Sequence, residues 1–441
     1  MKTLFAKVCL VFAGACLIVL RVPGADFLIH DGDRVVFLGD SITEQRLYTT
    51  YIEAYALTRH PQWKLWFRNV GWGGDTSWLR QRSHPDEPKL FAADDSAQQK
   101  MVEDSVKHGL ERDVLPLKPT VVTIKFGMND HSYVGFREDI FKAYVRSQTE
   151  LAEVLKANGA RVAFLTPQPI EDKRPDPDAD IRNQSLRKFS DGLKEVAAKE
   201  GAVFVDQLDP YMAILLRERP NSPTNSFVGG GDAVHPGPIG HTVMAWAILK
   251  GLGAQPLVSS LELDVTTQKV KTEGCQAKDV RINGSTVSFE RVDEALPMPV
   301  DEKATPALKL APILEDLDGY TLQIKGLPPG NYQLSIDSEP AGKITGEQLA
   351  KGWNLATQAG PITKQAQHVL ALVFQKNSLY FNRWRNVQLY SFPEWARSPE
   401  ADSRRTAELS RLDQQIADSE AEIDSARKPL PHRFELKPAD L

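Results

Sequence analysis

The chain has 441 residues, a quarter of them charged, with a formal net charge of −5 and ordinary aromatic content. That length suggests about three domains and that composition a chain able to bury a core. The acidic balance gives no electrostatic footprint for nucleic acid or for an anionic membrane surface.

Residues 1–25 form the first unit. Lys2 and Lys7 precede an apolar run from Val8 to Leu20, and Gly24 and Ala25 offer a small-residue cleavage point. About a dozen apolar residues fit the core of a secretory signal better than a spanning helix, which needs ~20. The expectation is a secreted or periplasmic protein with no stable membrane insertion after cleavage, an uncleaved anchor being the alternative. Loss of Lys2, Lys7 and Arg21 would take the net charge from −5 to −8. Cys9 and Cys16 would leave too, and Cys275 alone can form no internal disulfide.

Residues 26–255 alternate short apolar runs with helical patterns. Strands are expected at Val35–Leu38, Lys64–Asn69, Thr120–Phe126, Arg161–Leu165 and Ala202–Asp206. Each is a near-continuous apolar run, as a parallel sheet covered on both faces requires. Between them, Glu138–Lys156 carries Phe141, Tyr144, Val145, Leu151 and Leu155 on one stripe, with Gly159 as its stop. A second helix, Ile181–Lys199, repeats the pattern at Leu186, Phe189, Leu193 and Val196, and a third starts near Pro238. Alternating strands and helices predict right-handed crossovers and a doubly wound α/β sheet, whose ligands bind beyond the carboxyl ends of the strands.

After Pro256 the period shortens. Leu261, Leu263 and Val265 alternate with polar residues, and Val280–Val287 reads as a hairpin on Asn283-Gly284. Tyr320–Lys325 and Asn331–Asp337 predict a second hairpin around Gly326-Leu327-Pro328-Pro329-Gly330. Residues 256–340 are therefore expected to be a small β module. Residues 341–441 are expected to be a helical region, with a capping box at Thr345–Gln348, a helix over Thr363–Asn377 and another over Ser403–Arg427. The short 253–256 connection, with Trp353 and Trp384 outside any strand pattern, predicts that these parts fold back onto the first domain.

Four segments fall just beyond expected strand ends or in the loop before a helix: Gly39-Asp40-Ser41, Gly71-Trp72-Gly73-Gly74, Gly127-Met128-Asn129-Asp130 and Asp232-Ala233-Val234-His235. A serine hydroxyl attacks only if a base removes its proton. His235 is the expected base, and Asp232, three residues earlier, can hold its tautomer through Nδ1. Gly74 can bring a backbone N–H close to a reacting oxygen and Asn129 can offer its NH₂, both suited to an oxyanion. Taken singly, each segment is as well explained by a turn or a helix cap. Their joint occurrence in this order is what points to a serine esterase.

This set resembles the SGNH (GDSL-type) hydrolase superfamily, whose four blocks match Gly39-Asp40-Ser41, Asn69-x-Gly71-x-x-Gly74, Gly127-x-Asn129-Asp130 and Asp232-x-x-His235. The resemblance covers residues 30–252. It implies a flavodoxin-like three-layer α/β/α fold and ester hydrolysis without metal or other cofactor. By position it implies Ser41 as nucleophile, Ser41 N–H with Gly74 and Asn129 as oxyanion donors, and Asp232 with His235.

Trp72, Trp78 and His131 are candidates for substrate contact, with core packing as the alternative for each. His241 reads as a helix residue near the site. The expected partner is a small-molecule or carbohydrate ester, with acetylated sugars the leading class; the oligomeric state is not legible. Two other functions compete with this reading. A metal-dependent phosphoesterase needs an early Asp-x-His and an Asn-His pair, where this chain has Ile29-His30-Asp31 and Asn129-Asp130-His131. A non-catalytic surface or binding protein on an esterase scaffold leaves the intact residue set unexplained.

Overall fold

The computed structural model describes residues 26–439 apart from residue 224. The expected signal segment lies outside the described residues. Five parallel strands form the first sheet: β1 Arg34–Gly39, β2 Trp66–Asn69, β3 Val121–Lys125, β4 Arg161–Leu165 and β5 Val203–Val205. Their order is β2-β1-β3-β4-β5. Alternation along β1 divides the core into two layers: Val35 and Phe37 join one apolar cluster, Val36 and Leu38 the other. Helices Leu47–Arg59 and Pro238–Gly251 cover the first face, and Asp95–Asp113 and Glu138–Ala157 the second. This is the doubly wound α/β/α arrangement, and the chain reverses its winding between β1 and β3. The crevice at such a switch point is where this architecture binds ligands.

Nine further strands build a β sandwich: β6 Leu257–Asp264, β7 Lys269–Glu273, β8 Cys275–Asn283, β9 Thr286–Asp293, β10 Gly319–Lys325, β11 Asn331–Ile336, β12 Glu339–Thr345, β13 Trp353–Asn354 and β14 His432–Pro438. They form two sheets, β13-β10-β6-β7 and β12-β11-β14-β9-β8. Leu261, Tyr320 and Leu322 from one sheet meet Phe289, Leu334 and Phe434 from the other in a shared core. The Asn283-Gly284 turn joins β8 to β9, with Gly284 at φ +62°, as a hairpin of this kind needs.

Two expectations are corrected here. β10 and β11 are not a hairpin, because β10 pairs with β6 and β13 while β11 pairs with β12 and β14. The Gly326–Gly330 connection carries the chain between facing sheets, so Tyr320 and Leu334 reach one core from opposite sides. Nor does a boundary at 340/341 separate a β module from a helical region. Strand β14, close to the end of the sequence, lies between β11 and β9 in the middle of its sheet. Residues 256–439 are one interwoven appendage.

That appendage folds back onto the first domain. Helix Pro361–Phe381 lies on helix Leu47–Arg59, placing Val369, Leu370 and Val373 in the same apolar cluster as Tyr51 and Tyr55. Lys376 is 1% exposed; its Nζ donates to Glu53 Oε1 at 2.5 Å, and Asn377 Nδ2 donates to Glu53 Oε2 at 2.9 Å. Helix Pro399–Ala426 adds Glu420, which receives Arg68 Nη1 at 2.7 Å from edge strand β2. The edge of the parallel sheet is thereby covered, which removes a template for unwanted strand pairing. Lys376→Ala leaves the Glu53 carboxylate buried without its cation, so a loss of about 3–5 kcal/mol is expected. Urea unfolding would show it, and the Glu53→Gln/Lys376→Met pair should lose much less; equal losses would mean that charge pairing is not what the site provides.

Candidate active site

β1 ends at Gly39, and the chain turns at once into the short helix Ser41–Glu44. Asp40 caps that helix, its Oδ1 accepting from Ile42 N at 3.0 Å. As the first helical residue, Ser41 has no intrahelical acceptor for its N–H. Its Oγ lies 2.9 Å from His235 Nε2. On the other side of the ring, His235 Nδ1 lies 3.2 Å from Asp232 Oδ2. Asp232 Oδ1 also accepts from the backbone N–H of Val234 and of His235, both at 2.8 Å. Desolvation would raise the Asp232 carboxyl, but these backbone donors and the His235 ring hold it below its ordinary value. A charged acceptor at Nδ1 keeps the proton there and leaves the Nε2 lone pair for the serine hydroxyl.

The glycine segment is tied to the serine turn by β2. Asn69 Nδ2 donates to Thr43 O at 2.7 Å while its Oδ1 accepts from Gly71 N at 2.9 Å. A Cβ at Gly71 would stand 2.3 Å from Glu44 N, so no other residue fits that approach. Gly74 has φ +75°, a conformation that glycine adopts without strain. Among the described residues no acceptor takes its N–H. Asn129 follows β3 and is 8% exposed; its Nδ2 donates to Asp75 O at 2.9 Å, which sets the amide beside Gly74 and leaves its second hydrogen free. Asp130 staples the two segments, accepting from Ser77 N at 2.8 Å and from Gly127 N at 2.9 Å. Burial raises the Asp130 carboxyl to about 6 against the pull of those donors.

Residues that pattern reading missed complete the arrangement. Tyr133 donates its OH to Asn129 Oδ1 at 3.1 Å, which fixes which end of the amide faces the serine. Ser132 and Tyr133 both hold positive φ, +55° and +58°, a strained pair of the kind that persists where surroundings enforce it. Behind the serine, fully buried Lys125 donates to Gln168 Oε1 at 2.8 Å, and Gln168 Nε2 donates to Val234 O at 2.8 Å, bracing the loop that carries His235.

Trp78 and His131 are corrected as substrate contacts, since each is 1% exposed. The Trp78 ring sits in the core against Phe91, with Nε1 donating to Glu87 at 2.8 Å. His131 gives Nδ1–H to Gly127 O at 3.1 Å, and burial pushes its pKa down to about 4. Trp72 is half-buried, with the Arg385 guanidinium 3.4 Å from its ring centre, so its face is already occupied.

Asn129→Ala removes the free Nδ2 hydrogen beside Gly74. We expect kcat to fall by about 10²–10³-fold with little change in KM. A change confined to KM would make Asn129 a substrate-binding group instead.

His241 is fully buried in helix Pro238–Gly251, as a helix residue beside the site. Its Nδ1 accepts from Tyr48 N at 3.2 Å, so Nε2 carries the proton and donates to Gln45 Oε1 at 3.0 Å. Burial lowers its pKa from 6.5 to about 3, with the positive charge of Lys125 adding to the effect. Below pH 6.5 the unfolded chain therefore binds a proton that the folded chain refuses, and acidification favours unfolding. His241→Asn, whose Oδ1 can still accept from Tyr48 N, removes that linkage. The stability of the parent relative to the variant should fall by about 1.4 kcal/mol per pH unit between pH 6.5 and 4. A pH-independent difference would contradict the neutral ring.

Residues 37–243 match the GDSL-like lipase/acylhydrolase family. The catalytic domain belongs to that family. With it, the chain is a carboxylic ester hydrolase. No curated protein matches the sequence. Among solved structures, a gut microbial diltiazem-metabolizing enzyme is similar at 24% identity with TM-score 0.76, covering 93% of this chain and 98% of that one. The shared fold thus extends through the appendage. Axe2, an acetylxylan esterase from Geobacillus stearothermophilus, is 22% identical over 52% of this chain and 97% of its own, with TM-score 0.40. LAE5, an alpha/beta hydrolase from the metagenome of Lake Arreo, Spain, is 21% identical over 52% and 98%, with TM-score 0.39.

Proposed function

We propose that this family member hydrolyses short-acyl esters by a Ser41–His235–Asp232 mechanism, acting most favourably on O-acetyl groups of carbohydrates. The observation that carries the reading is the unbroken line from Ser41 Oγ through His235 to Asp232, 2.9 Å and 3.2 Å, beside donors left open. In the first step Ser41 Oγ attacks the acyl carbon and His235 Nε2 takes its proton. Negative charge on the carbonyl oxygen meets the N–H groups of Ser41 and Gly74 and the Asn129 amide. Collapse breaks the bond to the alcohol, which leaves with the proton from Nε2. Water then attacks the acyl-serine, gives its proton to Nε2, and the acid is released as Ser41 regains its hydrogen.

Support for a hydroxyl-bearing alcohol comes from the polar groups around the serine. Tyr133 is 39% exposed, and Arg80, whose Nε donates to Gly74 O at 2.6 Å, stands beside it. The tryptophans no longer support a sugar platform, since Trp78 is in the core and Trp72 is covered. Hydrolysis of p-nitrophenyl acetate against longer-chain esters, then acetyl release from acetylated xylan and pectin, tests the substrate class. Preference for long acyl chains would overturn the short-acyl reading, and p-nitrophenyl acetate turnover without polymer deacetylation the carbohydrate one. EDTA should leave the rate unchanged. The same proposal places the mature enzyme outside the cytoplasm through residues 1–25, checked by N-terminal sequencing of the exported protein; a mature chain beginning before residue 20 would contradict cleavage.

A further inference from the structure

The appendage reaches the glycine segment through Trp384, set edge-on to the Trp72 ring at 5.8 Å, and through the neighbouring Arg385. Helix Pro361–Phe381 runs into a wider π-helical turn, Asn382–Gln388, a local form frequent at functional sites. Within that turn Arg385 makes two contacts with the catalytic domain. Its guanidinium lies 3.4 Å from the centre of the Trp72 ring, and its Nε lies 3.4 Å from Glu44 Oε1. Glu44, the last residue of the serine helix, accepts Gly73 N at 2.8 Å through its other oxygen, Oε2. Gly73 is also close to the nucleophile, since a Cβ built on it would lie 4.0 Å from Ser41 Cβ. The neighbouring contact repeats the theme, with Arg46 stacked 4.1 Å from the ring centre of Phe381 while its Nη1 donates to Glu44 O at 2.7 Å.

We infer that Glu44 and Arg385 are positioning residues for the oxyanion loop, and that the appendage thereby takes part in catalysis. The inference rests on the esterase reading of Ser41, Gly74 and Asn129. Glu44 fixes the Trp72–Gly73 peptide, one link before the one that carries the Gly74 N–H, and so restrains where that N–H points. Trp72 and Glu44 flank that peptide, and one guanidinium holds both. Neither residue touches substrate in this account. A donor is effective only when it is already aimed at the place where charge develops, so loosening the loop weakens the transition state more than the ground state.

The test uses the full chain and p-nitrophenyl acetate, with phenylboronic acid as a mimic of the tetrahedral intermediate. Arg385→Met and Glu44→Gln should each lower kcat by about tenfold, with KM within about twofold, and should weaken boronate inhibition by a similar factor. The double variant should be little worse than either single, because both act through one path. Arg383→Ala is the control. It lies in the same turn and pairs with Asp413 at 2.5 Å, away from the loop, so its kcat should match the parent. Unchanged kcat in Arg385→Met and Glu44→Gln, with Ser41→Ala inactive, would overturn this inference alone. Equal losses in Arg383→Ala would overturn it too, by making the effect one of general appendage stability. Activity surviving in Ser41→Ala would instead remove the esterase reading beneath it.

Discussion

Ser41→Ala should abolish ester hydrolysis, by on the order of 10³-fold or more, while leaving the melting temperature close to that of the parent. The side chain is half-buried at a strand end and its one polar contact is to His235, so alanine leaves no buried donor without a partner and opens no core cavity. In the proposed mechanism alanine removes the atom that forms the acyl-enzyme. The residual rate would come from the oxyanion donors alone. Near-normal turnover in the variant would sink the nucleophile assignment, and a large fall in melting temperature would show that Ser41 holds the turn together.

Truncation after Leu257 should be as damaging, although Ser41, Gly74, Asn129, Asp232 and His235 all remain. It strips the cover from edge strand β2, leaves Glu53 without Lys376, and exposes Tyr51 and Trp72 where they meet Phe374 and Trp384. An orphaned buried carboxylate alone costs about 3–5 kcal/mol, against a typical domain stability of about 5–15 kcal/mol. The fragment is expected to unfold or aggregate at temperatures the full chain tolerates, with esterase activity lost in parallel. Thermal unfolding followed by circular dichroism decides it. A fragment with the parent melting temperature and full activity would make the appendage an independent module.

The parallel sheet was legible because each of its strands is a local apolar run ending in a turn. Arg161–Leu165 is recovered without change, and Glu138–Ala157 differs from expectation by one residue, since periodicity and the Gly159 stop act within a few turns. The four site segments were legible for the same reason, each being short and set at a strand or helix end. What stayed hidden is long-range. Nothing near Tyr320 says that its strand pairs with Leu257–Asp264 instead of with the next strand along. His432–Pro438 sets Arg433, Glu435 and Lys437 on one side of the alternation and only Phe434 and Leu436 as apolar residues on the other, too short a pattern to mark a central strand until β9 and β11 close around it. Trp78 and His131 lie within or beside site segments, yet their side chains turn inward. Arg385 and Glu44 belong to different parts of the sequence, and only the docking of the appendage brings them together.

The nucleophile can be identified without any mutation. Treating the native protein with a fluorophosphonate and mapping the adduct by peptide mass spectrometry should find one modified residue, Ser41, appearing as activity is lost and protected by a competing ester. Inactivation with the label on another residue, or full activity with Ser41 labelled, would contradict the account.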